Sequence, residues 1–228
     1  MSQTKAQLVS GTTAQDLTVD NINTTSINSG QPSGRKNLII NGAMQVAQRG
    51  TSSTAEGYIV DRVEVDYSGT DETPTMSQVD VASGTTPYSL GFRKAFRITN
   101  GNQTSANAAD RLQIFLKQEA QNIANSGWNF TSSSSFITLQ FWVKSSVAQN
   151  FYGFLRSRDG TEQRYPFETG SLSADTWTKV TKTIPGNSNI TINNDNGEGL
   201  QVTIMAFMGT NYTDSGVSLN AWGAYAGG

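Results

Sequence analysis

The sequence predicts an all-β protein: an antiparallel jelly-roll β-sandwich with one short helix, preceded by an extended N-terminal arm. Three observations predict it. Apolar side chains alternate with polar ones along several runs after position 36, turn-forming residues separate those runs, and the first 35 residues lack every aromatic. A period of two marks a half-buried strand, and many short strands with loops between them mark a sandwich or jelly roll.

The arm spans residues 1–35 and is rich in Thr, Ser, Asn and Gln. It cannot bury enough apolar surface to fold alone. Its apolar residues, Leu8, Val9, Leu17, Val19, Ile22 and Ile27, exceed what a spacer needs, so we read it as a strap that orders against a partner or sister subunit. Asn28 to Gly34 reads as a linker into the sandwich at 36–228.

Within the sandwich, Val63, Val65 and Tyr67 alternate with Glu64 and Asp66, and Leu112, Ile114 and Leu116 with Gln113, Phe115 and Lys117. In the run Phe136–Lys144, Ile137, Leu139, Phe141 and Val143 share one face, and Thr138, Gln140, Trp142 and Lys144 the other. Leu200, Val202, Ile204, Ala206 and Met208 stand opposite Gln201, Thr203, Met205 and Phe207. Asp159-Gly160 predicts a type I′ hairpin turn between Phe151–Arg156 and Glu162–Phe167. Asn193 to Gly199 reads as a second hairpin turn. The helix is expected over Lys117–Asn125, ended by Ser126-Gly127.

Composition narrows the function. Lys plus Arg is 16 against 18 for Asp plus Glu, with no basic stripe for nucleic-acid phosphates. No run of about 18 apolar residues exists, so no membrane insertion is expected. The chain contains neither His nor Cys, which removes His- or Cys-based nucleophile systems and ordinary zinc sites. Carboxylate pairs such as Asp61 with Glu64, or Glu162 with Glu168, are the remaining route to catalysis, and acidic residues on strand edges explain them better. Asp195, Asn196 and Glu198 miss the spacing of a known calcium loop. No catalytic residue and no cofactor are expected. The candidate binding residues are aromatics that could stack on sugar rings: Trp128, Trp142, Tyr152, Trp177, Tyr212 and Trp222.

Two patterns carry a family resemblance. The first runs Arg35-Lys36-Asn37-Leu38-Ile39-Ile40-Asn41-Gly42-Ala43-Met44-Gln45-Val46-Ala47-Gln48-Arg49-Gly50, followed by Gly57-Tyr58-Ile59-Val60-Asp61-Arg62-Val63. It resembles the opening of a virion module found in tail-fibre-like structural proteins of marine cyanophages and related tailed phages. The second joins Phe141-Trp142-Val143-Lys144-Ser145-Ser146 to Trp177-Thr178-Lys179-Val180 and Thr183-Ile184-Pro185, and is similar to carbohydrate-binding-module jelly rolls. The resemblance covers about residues 35–228.

It implies a non-enzymatic virion component made in the host bacterial cytoplasm. Its arm would attach to other virion proteins, its assembly would be a homotrimer, and its jelly roll would contact host surface polysaccharide. A capsid decoration or head-fibre protein, and a free carbohydrate-binding module, are the alternatives. Sugar-binding jelly rolls often hold a structural calcium with an acidic residue where this chain has Gln45, which speaks against calcium. The module also ends in a further strand past the point reached by Ala226-Gly227-Gly228. The resemblance therefore implies that later residues or a neighbouring chain complete the sheet.

Overall fold

The computed structural model describes residues 37–100, 103–213 and 218–224. The arm at 1–35, with Leu8, Val9, Leu17, Val19, Ile22 and Ile27, lies outside the described residues, as do Ala226, Gly227 and Gly228. The sandwich belongs to the compact unit Lys36–Gly228.

The chain forms, in order, β1 (Ser52–Ser53), β2 (Gly57–Tyr58), β3 (Glu64–Ser68), β4 (Thr75–Asp80), α1 (Thr86–Ser89), β5 (Lys94–Thr99), β6 (Arg111–Glu119) and α2 (Ala120–Ala124). There follow β7 (Phe136–Val143), β8 (Asn150–Ser157), β9 (Gln163–Ser171), β10 (Thr178–Pro185), β11 (Glu198–Met208), a 3₁₀ turn (Thr210–Tyr212) and β12 (Gly223–Ala224). Seven strands make the larger sheet, in the order β12-β9-β8-β11-β6-β3-β2. Among the described residues two smaller sheets, β1-β4-β5 and β10-β7, accompany it, and every pairing is antiparallel. From β5 onward the chain crosses repeatedly between the larger and smaller sheets, which is the path of a jelly roll.

Burial of the alternating apolar positions holds the sheets together. Val63, Leu116, Leu155, Phe167, Leu200 and Val202 of the larger sheet and its approaches pack with Ile184 of β10, and Val180 of the same strand is buried as well. Ile59, Val65, Met76 and Leu112 form a second cluster beneath β4 and β5. Phe96 of β5 touches both clusters. Burying each such side chain contributes about 1.5–3 kcal/mol.

Several expectations need correction. The helix begins at Ala120, because β6 keeps pairing with β11 through Glu119. A second short helix, α1, starts at Thr86 with Pro87 in its first turn, a position where the missing proline N–H costs nothing. The Asp159-Gly160 turn is not type I′. Gly160 has φ +63° but Asp159 does not share the positive φ that the turn type demands at both places. Instead Asp159 bridges to Thr191 and the connection widens. The 193–199 cluster joins two sheets rather than closing a hairpin, since β11 pairs with β6 and β8 and not with β10. Its carbonyls accept from the first turn of α2, Gly197 O from Ala120 N and Asp195 O from Gln121 N, both at 2.8 Å. Finally, a bulge at Ala206 interrupts the alternation of β11 and turns Phe207 onto the second core cluster beside Leu112.

Candidate functional site: the outer face of the seven-stranded sheet

The larger sheet has a second face, pointing away from the core. Residues that alternate with the core positions collect there, and register places them side by side. Thr203 of β11 lies between Phe115 of β6 and Phe154 of β8. Gln201 lies between Lys117 and Arg156, and Met205 between Gln113 and Tyr152. Beyond Phe154 and Arg156 come Pro166 and Arg164 of β9, and beyond Phe115 comes Glu64 of β3.

The middle of this face is closed over. Gln201 and Thr203 have no solvent-exposed surface, although both lie on the non-core side. A sheet that is polar in the middle and covered by its neighbours must satisfy those polar groups internally. Arg156 does so, donating from Nε (3.2 Å) and Nη2 (3.0 Å) to Gln201 Oε1. Gln201 Nε2 in turn donates to Thr203 Oγ1 at 2.8 Å. Burial pulls the Arg156 guanidinium below its ordinary range, partly offset by nearby Glu162.

Ion pairs rim the face. Arg111 grips Asp66 with Nε and Nη2 at 2.6 and 3.1 Å, and its pKa is raised chiefly by that bond. Lys117 Nζ meets Glu64 Oε2 at 2.6 Å. Glu162 receives Arg164 Nε at 2.6 Å and Arg158 Nη1 at 2.8 Å, with Arg156 Nη1 at 3.7 Å. The Arg164 guanidinium also lies over the Phe154 ring, 4.7 Å from its centroid. The result is a half-exposed aromatic strip, Phe115, Phe154 and Tyr152, bounded by planar multi-donor groups.

Of the aromatics marked from sequence, Tyr152 and Tyr212 belong to this face: Tyr152 is exposed on β8, and Tyr212 reaches Arg111. Trp142 lies on the far side of the β7–β10 ribbon, paired with Lys179, and is half-buried. Trp177 sits nearby, with Lys144 Nζ 5.6 Å from its ring centroid. Trp128 is buried in the core, its Nε1 donating to Ser135 O at 3.3 Å. Trp222 packs against Tyr165 and donates from Nε1 to Pro185 O at 2.7 Å, closing the edge beside β10. Sequence reasoning passed over Phe115, Phe154, Arg156 and Gln201. Their signal was present, as the polar-side partners of three alternating runs.

The carboxylates named as catalytic alternatives are all engaged. Asp61 faces Arg49 at 4.0 Å, Glu64 faces Lys117, Glu162 holds its arginines, and Glu168 accepts from Asn150 Nδ2 at 2.6 Å. Asp195 Oδ1 accepts from Gly197 N at 2.9 Å, a local turn. No cluster of three or more metal-ligating side chains occurs among the described residues, and no described helix is long and apolar enough to cross a membrane. Comparison with known proteins returned no match among family models, curated proteins or solved structures.

Proposed function

We propose that this chain is a non-enzymatic structural protein of a phage virion, a tail-fibre-like appendage anchored by residues 1–35. Its sandwich meets host surface polysaccharide through the outer face of the seven-stranded sheet. The observation that carries the sugar-binding part is the Phe115–Thr203–Phe154 row, flanked by Tyr152 and by the Arg156–Gln201 pair. Aromatic faces stack on the C–H faces of sugar rings, and the partly exposed guanidinium groups of the rim donate to hydroxyls, while the fully buried Gln201 holds Arg156 in place. Rings set by neighbouring strands are held in place without further ordering cost.

The virion part rests on the two motifs of the opening segment, which form one hydrogen-bonded unit. Asn41, at φ +57°, donates from Nδ2 to Val46 O (2.9 Å) and Asp61 O (2.8 Å), and Asp61 N donates to Val46 O at 3.0 Å. The resemblance is thus carried by residues that depend on one another.

A glycan array of host envelope polysaccharides, probed with the full chain, tests the sugar reading. Binding should fall at least tenfold in Phe154→Ala and be unchanged in Thr181→Ala. An array that stays silent removes this reading. Particle assembly tests the anchor: chains lacking residues 1–35 should be absent from purified particles, and normal incorporation rules the anchor out. Labelling of particles then separates a tail appendage from a capsid decoration or head fibre, and glycan binding by a chain that never enters particles would identify a free carbohydrate-binding module.

A further inference from the structure

The core face of the seven-stranded sheet is covered unevenly. Two small sheets lie over it and do not pair with each other. Among the described residues β5 is hydrogen-bonded only to β4, and β7 only to β10. The β1-β4-β5 sheet sits over the β3 and β6 side, through Met76 and Ile98 against Val65 and Leu112. The β7–β10 ribbon sits over the β9 side, through Phe141 against Phe167 at 6.3 Å, with Trp222 closing the outer edge at Pro185. The central pair Ile114 and Ile204 lies between them, the floor of a slot bordered by the edges of β5 and β7 that are unpaired among the described residues.

Burial marks the slot. Ile114 and Ile204 are partly exposed, although they lie on the core face of the two central strands. Their neighbours on the same strands and face, Leu112 and Val202, are buried. Ile137 and Leu139 of β7 are likewise partly exposed, and so are Phe96 and Ile98 of β5, whereas Val180 and Ile184 of β10 are buried. In a finished sandwich the middle of the sheet is the driest place; here its central pair, Ile114 and Ile204, is partly exposed.

The two free edges are compatible with one occupant. β5 runs from Phe96 toward Ile98, that is, toward the Leu112 end of β6. β7 starts beside Trp128, which follows α2 at the other end of β6, and runs the same way. An extended strand between them would be antiparallel to both, the pairing geometry of every other strand pair among the described residues. The outer edge of the ribbon is defended differently. On β10 the half-buried Lys182 points inward opposite Leu139, and Pro185 ends the strand. An inward charge and a proline are known ways of blunting an edge. β7, Phe-Ile-Thr-Leu-Gln-Phe-Trp-Val, has no charged residue and no proline, so its edge is left able to pair.

We propose that this slot is a strand-acceptor site. It takes one extended strand from a partner polypeptide, paired over about six residues, antiparallel to β5 and β7, with apolar side chains at every second position set onto Ile114 and Ile204. This is β-strand addition made at two edges at once, so main-chain bonds supply affinity and the alternating floor supplies register. The slot lies on the opposite side of the seven-stranded sheet from the sugar-binding face, so each can fail without the other.

The probe is a fluorescein-labelled peptide, Thr-Val-Thr-Ile-Thr-Val-Thr-Ile, added to the full chain and followed by anisotropy and amide hydrogen exchange. Saturable binding is expected, with exchange slowed in β5 and β7 together. A peptide with proline at its fourth position should bind at least tenfold more weakly. Leu139→Lys should weaken binding at least tenfold, and Thr138→Lys, on the other face of the same strand, should not. The exchange measurement on the unsubstituted chain stands even if Leu139→Lys misfolds. No binding at millimolar peptide, or slowing on one strand only, overturns the proposal. Edge amides of β5 and β7 that are already protected in the chain alone also overturn it: concentration-independent protection would mean that this chain fills its own slot, and loss on dilution would mean a second copy does.

Discussion

Gly153 is the tightest point of the larger sheet. A Cβ there would stand 2.5 Å from Thr203 O and 2.6 Å from Phe167 Cζ. The carbonyl belongs to the central strand and cannot retreat, so Gly153→Ala should cost about 2–3 kcal/mol of stability. Urea denaturation will show it as a lower midpoint. Gln118 is the reverse case. It lies on the core side of β6, 2% exposed, and neither end of its amide finds a partner. An orphaned buried amide costs about 1–3 kcal/mol, so Gln118→Leu should raise stability by about 1 kcal/mol. A drop instead would mean that water satisfies the amide. Tyr58 supplies a pH test. Burial, reinforced by the hydrogen bond and charge of Glu64, pushes its pKa up to about 12 from an ordinary value of about 10. Between those values an unfolded chain has lost a proton that the folded chain keeps. The contribution of Tyr58 is therefore complete below pH 10 and lost as pH rises toward 12. Alkaline melting curves should flatten over that window in Tyr58→Phe.

Strands differ in how much their burial is worth, and β7 shows it. Phe141 looks like a full core residue from the alternation alone. It packs edge-on to Phe167, yet it is only partly buried while Phe167 is 1% exposed. Phe167→Ala should cost about 3–5 kcal/mol and Phe141→Ala distinctly less, about 2 kcal/mol, read from paired denaturation curves. The period-two rhythm made the inward face of β6, β7 and most of β11 legible, because side-chain direction is a local property. It could not show that a bulge at Ala206 turns Phe207 inward, nor that β7 keeps one edge unpaired among the described residues, because both depend on pairing between distant segments. The candidate site was half legible for the same reason. Tyr152 announces itself as an aromatic on a polar strand face. The Phe115–Thr203–Phe154 row needs three strands from remote parts of the chain brought into register. Trp128 and Trp222 lie in loops, where no periodicity reports burial.

At the scale of the molecule, two core clusters share one sheet, and Phe96 is packed on both. The smaller cluster, Ile59, Val65, Met76 and Leu112, is covered by the β1-β4-β5 sheet, whose strand pairings among the described residues are all internal. The larger cluster is held by β6, β8, β9 and β11 in one continuous ladder and by β10 above it. Opening free energy rises with the apolar contacts and ladder bonds that must be broken together. The β1-β4-β5 sheet should therefore open before the rest of the sandwich. Native-state hydrogen exchange in low denaturant should resolve two groups, amides of β4 and β5 exchanging through a partial opening and amides of β6, β8 and β11 only through global unfolding. Phe96→Ala should widen the gap between the groups, because it removes the side chain that makes the two clusters lose contacts together. If all amides continue to exchange through one global event in Phe96→Ala, the two clusters form a single cooperative core and Phe96 is not the coupling between them.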